Sequence, residues 1–501
     1  MAALYEHALR RGEGMLAADG QFVAQTGHRT ARSPEDKFFV REPGSDAAID
    51  WNGSNRPFDA GAFDALFERV AAYLSERERY ELDAYAIAGG PERIGLRIVT
   101  DLAWHALFAR NLFIVPALAT DDFRADFTIV DAAEFAAEPA RDGTRSETFV
   151  LIHFGRRLVL IGGTRFAGEL KKAAFTVVNY LAPLHGLLPM HCSASAGPSG
   201  RTALFFGVSG SGKTTLAADP ERSLIGDDEH VWSHDGITNI EGGCYAGALD
   251  LSPETAPAIW AASHRFGTVL ENAVCDSASR TLDLASTAIT DNARSAYPLN
   301  SIRGSRPPGP ASHPAAVVML ASDAYGVLPP LARLGPDQAT YYFLSGYTAE
   351  ARPDPETGAL VPFAIFSSCF GAPFLVHHPD VYAGLLRERI AQTGVACWLA
   401  NTGWSGGPCG AGRRIPVAVT RALLAAAVDG SLDDVDFVRE PAFGLAVPRV
   451  VPGVPAEILD PRAAWPDGEA YDRQAALLRG LFSENSASMS SHAGNAALAC
   501  Q

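Results

Sequence analysis

The segment Gly207-Val-Ser-Gly-Ser-Gly212-Lys213-Thr214 decides the fold of this chain. It matches the pattern G-x4-G-K-[ST], follows an apolar run at 203–206 and precedes a helix-compatible stretch. In that context the glycines let successive backbone N–H groups point at phosphate oxygens, beside the positive end of a helix. A chance glycine-rich turn is the alternative, and the flanking elements argue against it. The motif predicts a nucleotide site in which Lys213 bridges the β- and γ-phosphates and the Thr214 hydroxyl ligates Mg²⁺.

A second acidic motif follows this loop. The short apolar segment 223–226 ends in Asp227 and Asp228. Carboxylates at the end of a strand beside a phosphate loop are expected to be metal ligands. The pair would also suit a polar strand end or a helix N-cap, but its position after the loop favours the metal role.

The composition limits the classes of function. The chain has 501 residues and a formal charge of −16, without basic runs, so we expect no nucleic-acid partner. No apolar run approaches the roughly 18 to 20 residues that cross a bilayer, and the N-terminus lacks a signal-peptide pattern. The seven cysteines are scattered, which is typical of reduced thiols. These features predict a cytoplasmic protein, with an anionic substrate held by a local cluster of positive charge.

The order of apolar segments predicts an α/β fold. Runs rich in β-branched and aromatic residues alternate with helical stretches such as 63–75 and 418–427. We place an N-terminal domain at 1–186 and a nucleotide-binding domain at 187–483. The Ser/Ala/Asn-rich segment 484–501 is expected to be a disordered tail.

Several further basic residues could belong to the site, but their local sequence alone does not assign them to it. Lys171 and Lys172 would ordinarily be a solvated helix end, and His191 a core histidine. Arg32 and Arg294 lie in turn-like segments, and a guanidinium group suits carboxylates and phosphates. Sequence spacing alone does not bring these two arginines together.

Taken together, the motifs resemble those of the ATP-dependent phosphoenolpyruvate carboxykinase family, over about residues 22–475. The matching segments occur in family order. They include TARSPEDKFFV (30–40), GELKKAAFTVVNYLAP (168–183), MHCSASAG (190–197), GVSGSGKTTLAAD (207–219), LIGDDEHVW (224–232), EGGCYAGALDLS (241–252), RFGTVLENAV (265–274) and NTGWSGGPCGAGRRI (401–415).

The resemblance implies a fold and a reaction. The family has two domains, with the site in the cleft between the N-terminal domain and the C-terminal P-loop domain. Its enzymes convert oxaloacetate and ATP to phosphoenolpyruvate, CO₂ and ADP, using Mn²⁺ and Mg²⁺. The chain is thus expected to take a small anionic substrate, most simply as a monomer.

The resemblance also implies a role for individual residues. Lys172, His191 and Asp228 match the ligands of a transition metal, typically Mn²⁺, and Thr214 matches the Mg²⁺ ligand; the nitrogen-rich set favours a transition metal at the first site. The catalytic candidates are Arg32, Lys171, Lys172, Lys213, Asp227 and Arg294. The nucleotide-binding candidates are Gly207, Ser209, Gly210, Ser211, Gly212, Lys213, Thr214, Thr215, Glu271, Arg294, Arg414 and Thr420.

Two positions depart from the family pattern. The motif GCYAK ends in Gly247 here, so a cation that contacts the transferred phosphoryl group is missing. The aromatic residue before GE-KK, normally tyrosine, is Phe166, which lacks a hydroxyl. Smaller changes are Ala31 and Ala293, each just before an arginine.

These departures leave three interpretations open. The first is a working carboxykinase in which a neighbouring cation such as Lys171 compensates for Gly247. The second is a kinase on the same scaffold that phosphorylates another small carboxylate or hydroxy acid without decarboxylation. The third is a nucleotide-binding regulatory protein without turnover, against which the full set of metal ligands argues.

Overall fold

The computed structural model describes residues 1–51, 54–90, 92–116, 123–208 and 210–498, with side chains up to residue 489. The chain is a mixed α/β protein, as the sequence predicts. No helix in these ranges is both long and apolar enough to cross a membrane.

The elements are numbered in chain order. The helices are α1 Ala2–Arg10, α2 Ala60–Ser75, α3 Ala103–Leu112, α4 Pro139–Asp142, α5 Gly168–Leu184, α6 Lys213–Ala217, α7 Pro257–Ser263, α8 Pro336–Ser345, α9 Pro379–Thr393, α10 Val417–Asp429, α11 Ala456–Leu459 and α12 Gly468–Leu498. The strands are β1 Met15–Leu16, β2 Phe22–Ala24, β3 Lys37–Val40, β4 Pro57–Phe58, β5 Tyr80–Ala86, β6 Ile94–Thr100, β7 Phe127–Ala132, β8 Phe149–His153, β9 Leu158–Gly162, β10 Leu188–Ala196, β11 Thr202–Phe206, β12 Ser223–Gly226, β13 Glu229–Trp232, β14 Ile237–Asn239, β15 Gly243–Gly247, β16 Val269–Glu271, β17 Val274–Cys275, β18 Leu282–Asp283, β19 Arg294–Pro298, β20 Pro310–Ala311, β21 Ala316–Ala321, β22 Leu331–Leu334, β23 Tyr347–Pro353, β24 Leu360–Phe366, β25 Ala396–Asn401, β26 Trp404–Ser405, β27 Arg413–Arg414, β28 Phe437–Arg439 and β29 Ala446–Pro448.

The largest sheet carries the phosphate loop. Its strand order is β20-β14-β13-β10-β11-β21-β25-β22-β29-β28, and β12 also pairs with β10. β11, β21 and β25 run parallel at its centre and are buried throughout, apart from the first residue of β25, as expected of parallel strands covered on both faces. Their carboxyl ends meet at one edge, where Asp323 N donates to Asn401 Oδ1 (3.2 Å) and Thr402 Oγ1 donates to Ser211 O (3.3 Å). Ligands of open α/β sheets bind at such an edge.

A second sheet belongs to the N-terminal part of the chain. It has seven strands in the order β4-β3-β8-β9-β7-β6-β5. Helix α5 follows its strand β9 and leads into β10 of the largest sheet. Because α5 is buried along nearly all its length, it joins the two sheets through a shared core.

A third sheet mixes the two parts of the sequence. Its order is β1-β2-β16-β19-β15, and β2 pairs in parallel with β16, with Phe22 opposite Val269. Residues before 25 therefore share a sheet with residues 243–298, so a single boundary near residue 186 does not separate the packing units. Sequence spacing gives no signal for a pairing between such distant segments.

The C-terminal segment differs from the prediction of a disordered tail. Helix α12 runs from Gly468 to Leu498, so residues 484–498 are helical and 499–501 lie outside the described residues. Its first half is fixed by Tyr471, Ala475, Leu478 and Phe482, which are all buried. This i, i+4, i+7, i+11 spacing is one face of a helix, and the helix continues beyond it through the Ser/Ala/Asn-rich segment.

Candidate active site

The phosphate loop has the conformation that its glycines predict. It connects β11 to α6, and Gly210 (φ +82°) and Gly212 (φ +93°) adopt left-handed conformations that residues with a Cβ rarely accept. Lys213 is buried, and its Nζ donates to the carbonyl of Gly207. Ser211 is also buried. Ser209 lies outside the described residues.

The predicted metal ligands converge on one carboxylate. Lys172 Nζ lies 2.7 Å from Asp228 Oδ2, and His191 Nε2 lies 3.0 Å from Asp228 Oδ1. Lys213 Nζ lies 3.6 Å from the same Oδ1, so this group adjoins the phosphate loop. Burial opposes ionisation of Asp228, but the positive charges around it hold its pKa well below the usual range.

Two glutamates complete this cluster, and sequence analysis did not identify them. Glu229 Oε1 lies 2.7 Å from Lys172 Nζ, and Glu241 Oε2 lies 2.7 Å from Lys171 Nζ. All the side chains involved are largely buried. Burial would lower the pKa of Lys171, but the carboxylates of Glu241, Glu229 and Asp228 raise it well above its usual value. The doublet Asp228-Glu229 on a strand after a phosphate loop was the available signal.

The hydrogen bonds of His191 determine its tautomer. Its Nδ1 lies 2.7 Å from the carbonyl oxygen of Phe370, which only accepts, so Nδ1 carries the hydrogen. Burial lowers the pKa of His191 to about 4, against the effect of Asp228. In the neutral ring Nε2 is an acceptor, and it faces an acceptor oxygen of Asp228. A cation bound by both would remove this conflict, so the pair suits a metal ion.

The possible metal ligands Lys172, His191 and Asp228 are not a cluster of acidic residues and histidines alone. Among the described residues, no group of three or more His, Cys, Asp or Glu side chains is arranged to hold a metal. Here the third donor is an amine, that of Lys172.

The hydrogen bonds of Asp227 go to residues outside this cluster, although its charge acts on Lys171 and Lys213. Its Oδ2 accepts from the backbone N–H of Tyr245 (3.0 Å), and its carbonyl accepts from Ser193 Oγ. Asp227 therefore joins β12 to β15, and the two adjacent aspartates serve different neighbours.

Tyr245 packs against several candidates at once. Its hydroxyl donates to Glu271 Oε2, and Glu271 Oε1 accepts from the N–H of Ala167 (2.8 Å). The ring lies 5.8 Å from Lys171 Nζ and 5.9 Å from the Arg294 guanidinium carbon. Burial raises the pKa of Glu271 to about 7, against its hydrogen bonds. Glu271 thus fixes the start of α5, and these hydrogen bonds do not reach the described part of the phosphate loop.

A single asparagine connects the two arginine segments. Asn292 Oδ1 accepts from Nε (2.9 Å) and from an Nη (2.7 Å) of Arg294. Its Nδ2 donates to the carbonyl of Thr30 (2.9 Å), two residues before Arg32. The connection between Arg294 and Arg32 was missing from the sequence analysis, and Asn292 supplies it.

Arg32 and Lys172 both approach the ring of Phe374. The Arg32 guanidinium carbon and Lys172 Nζ each lie 4.8 Å from the ring centre of Phe374, which is buried. Phe374 thus brings the loop of Arg32 to the ion cluster.

The remaining candidates lie beside the phosphate loop or beyond it. Thr214 and Thr215 are in α6 and partly buried. Arg414 lies in β27, its guanidinium 4.7 Å from the Trp404 ring centre, and Thr420 is buried in α10. No direct contact between these residues and the ion cluster occurs among the described atoms.

The two departures from the family pattern differ in their surroundings. Gly247 is exposed, pairs with Arg294 across the sheet, and has no atom within 4 Å of where a Cβ would stand. Phe166 is buried, with its ring centre 6.4 Å from that of Tyr245. Position 247 could accept a side chain, whereas position 166 is already filled.

Known proteins are similar in sequence to this chain over most of its length. The family model described as phosphoenolpyruvate carboxykinase, in its ATP-dependent form, matches residues 1–457. The chain belongs to the ATP-dependent phosphoenolpyruvate carboxykinase family. It is 54% identical to the phosphoenolpyruvate carboxykinase (ATP) of Thermus thermophilus, over 96% of this chain and 92% of the relative.

Other carboxykinase relatives are similar over the same extent. Identity is 52% with a protein of this name from Moorella thermoacetica and 49% with one from Geobacter metallireducens. Each alignment covers 97% of this chain and 92% of the relative. The family resemblance drawn from the motifs is thereby confirmed.

Proposed function

We propose that this chain catalyses the ATP-dependent phosphoenolpyruvate carboxykinase reaction, in which oxaloacetate and ATP give phosphoenolpyruvate, CO₂ and ADP. The observation that carries the proposal is the convergence of Lys172, His191 and Asp228 beside Lys213 of the phosphate loop. The names of the relatives, at 49–54% identity over almost the whole chain, support it.

The largest sheet and its loops form the proposed ATP-binding domain. The backbone of 207–212 would surround the phosphates, with Lys213 turning from the Gly207 carbonyl towards them. Thr214 and Thr215 follow at the start of α6, and Arg414 and Thr420 would lie towards the base and ribose. The seven-stranded sheet would supply Arg32 from the other side of the cleft.

The residues present fit two metal ions. Lys172, His191 and Asp228 would hold a transition metal, proposed as Mn²⁺, because two nitrogen donors suit such an ion better than Mg²⁺. Thr214 would help to hold Mg²⁺ with the nucleotide. When bound, these ions supply positive charge that stabilises an enolate and the phosphates.

The chain's own residues would divide the reaction between them. Arg32 orients the carboxylate of oxaloacetate through paired hydrogen bonds. Loss of CO₂ breaks a C–C bond and leaves its electron pair on the enolate of pyruvate. The enolate oxygen then attacks the γ-phosphorus and ADP leaves, while Lys213 and Arg294 stabilise the negative charge of the transition state. Asn292 fixes Arg294 for this task.

A second candidate function is favoured by Gly247. A family lysine is missing there, the space is open, and a lost transition-state donor typically costs about 100- to 1,000-fold in rate. Phe166 also removes a hydroxyl from the acceptor side. The alternative is a kinase of another small carboxylate or hydroxy acid that transfers phosphate without decarboxylation.

The cysteines bear on where the enzyme acts. Six described cysteines are free, which fits the reducing conditions of the cytoplasm. We propose that the enzyme acts there as a monomer, which size-exclusion chromatography with light scattering would test.

A direct assay separates the two functions. ADP and phosphoenolpyruvate are followed with ATP, Mn²⁺ and Mg²⁺, with and without oxaloacetate. Oxaloacetate-dependent phosphoenolpyruvate supports the carboxykinase. ADP formed only with another carboxylate or hydroxy acid, and without CO₂, supports the alternative.

A further inference from the structure

Lysine is rare in this chain. The sequence contains four lysines, while the other 37 of its 41 basic Lys and Arg residues are arginines. Three of the four, Lys171, Lys172 and Lys213, lie in the buried ion cluster. An ammonium group is a compact point charge, whereas guanidinium is planar and wider, so the two are not interchangeable in a confined site. The fourth lysine, Lys37, is thus a candidate for a position that requires an ammonium group.

Lys37 lies beside the proposed active site. It begins β3 and pairs in parallel with Val150 of β8. Its side chain lines a small cavity between the loop of Arg32, one face of α5 and residues 373–374. The polar and aromatic residues of this cavity are Arg32, Lys37, Glu169, Lys172, Thr176 and Phe374.

The cavity has more positive than negative charge. Among the described residues no ion pair within 4.0 Å includes Lys37 or Arg32, although the carboxylate of Glu169 acts electrostatically on both. Lys37 Nζ donates to the carbonyl of Pro373, which leaves further N–H groups of the ammonium for another acceptor. Arg32 rests on the Phe374 ring.

The other two charged residues of the cavity have hydrogen-bond or ionic partners of their own. Glu169 Oε1 accepts from the N–H of Ser33 at 2.6 Å. Lys172 is paired with Asp228 and Glu229. Glu169 is thus the carboxylate that acts on both Arg32 and Lys37, and one negative charge balances only one of these two cations.

We propose that Lys37 is a second cation for the substrate carboxylate that the proposed function assigns to Arg32, so that the two side chains hold one carboxylate group of a small dicarboxylate. The identity of that substrate rests on the proposed function, whereas the charge and shape of the subsite do not. A carboxylate has two oxygens and can accept from the guanidinium and the ammonium at once. Lys37 would then be a substrate-binding residue that the motifs of the sequence did not identify.

The electrostatics of Lys37 agree with this role. Burial, and then the positive charge of Arg32, lower its pKa to about 7, and Glu169 only partly offsets them. A bound carboxylate would favour the charged form.

Binding of malonate tests the subsite without turnover. Malonate is an unreactive dicarboxylate, and calorimetry of the full-length protein gives its affinity directly. The test variant is Lys37→Gln, whose amide can still donate to the Pro373 carbonyl but carries no charge. We expect malonate to bind about 10- to 100-fold more weakly to it, as for loss of a charged hydrogen bond, with an unchanged ATP affinity.

Arg41→Gln is the matched control. Arg41 follows β3, is exposed and pairs with Asp46, so its loss changes the net charge equally but leaves the cavity intact. Malonate affinity should remain that of the unmodified protein.

Several results would overturn the proposal. They are undetectable malonate binding by the unmodified protein, equal affinity in Lys37→Gln, or an equal loss of ATP affinity, which would indicate a structural role. If Lys37→Gln does not fold, Lys37→Arg replaces it: weaker malonate binding supports the subsite, and unchanged binding contradicts the need for an ammonium group. Failure of the carboxykinase function would appear separately, as absent phosphoenolpyruvate in the turnover assay.

Discussion

The site has two halves that differ in how completely their charges are paired. Around Asp228, nitrogen atoms of three lysines and a histidine lie 2.7–3.9 Å from carboxylate oxygens of Asp228 and Glu229, and these side chains are largely buried. Around Arg294 and Gly247 the surface is more open, and Arg294 contacts a neutral asparagine rather than an acid. Breaking one member of a tight ionic cluster leaves uncompensated buried charge, whereas the open half has room for change. We infer that the residues proposed to bind metal and nucleotide tolerate substitution less well than the residues proposed to bind the phosphoryl acceptor.

The largest effect is expected from Asp228→Asn. The amide cannot balance Lys172, His191 and Lys213, so we expect turnover to fall by about 1,000-fold or more and Mn²⁺ affinity to fall with it. Steady-state kinetics and Mn²⁺ titration followed by electron paramagnetic resonance measure the two. Asp354→Asn, in an exposed turn, is the control. Retained Mn²⁺ affinity in Asp228→Asn would contradict this role.

A large effect in the opposite direction is expected at the open half. Gly247→Lys places a cation opposite Arg294 in space that is free. If the missing lysine at position 247 limits the rate of the carboxykinase reaction, oxaloacetate-dependent turnover of this variant should rise by up to about 100-fold. Gly247→Ala controls for the change in backbone freedom. An unchanged rate would mean that this cation does not limit the reaction.

A moderate effect is expected at the connection between the arginines. Asn292→Asp can still accept from Arg294 but cannot donate to Thr30, whereas Asn292→Ala loses both bonds. We expect kcat/KM for oxaloacetate to fall about 10-fold in Asn292→Asp and further in Asn292→Ala, with KM for ATP nearly unchanged. Equal losses for both substrates would indicate general misfolding instead.

The smallest effect is a pH dependence at Lys37. Because its pKa is near 7, the residue is charged below that pH and neutral above it. Malonate affinity should therefore weaken by about 10-fold or less between about pH 6 and pH 8. The same titration of Lys37→Gln should be flatter, and identical profiles would remove Lys37 as the cause.

Much of the nucleotide half could be predicted from the sequence because its signals are local. The glycines of 207–212, the strand before them and the carboxylates after β12 lie within one short segment. The strand–loop–helix order and the proximity of Asp228 to Lys213 follow from that segment and the sheet edge. The roles assigned to these residues remain predictions.

The remaining parts of the fold and of the candidate site depend on contacts between distant segments of the chain. The pairing of β2 with β16, the bond from Asn292 to Thr30 and the placement of Phe374 under Arg32 each join residues hundreds of positions apart. Glu229 and Glu241 were missed because their role depends on the lysines that they contact, and these contacts are not visible in the sequence. Helix α12 was missed because Ser/Ala/Asn-rich sequence gives a weak local signal and its packing face ends at Phe482.

The proposed function requires that this scaffold performs the carboxykinase reaction. Its most direct test is phosphoenolpyruvate formation from oxaloacetate and ATP with Mn²⁺ and Mg²⁺ present, with ADP followed in the same sample. We expect oxaloacetate-dependent phosphoenolpyruvate that rises together with ADP. Absence of phosphoenolpyruvate from protein that still binds ATP and Mn²⁺ would contradict it.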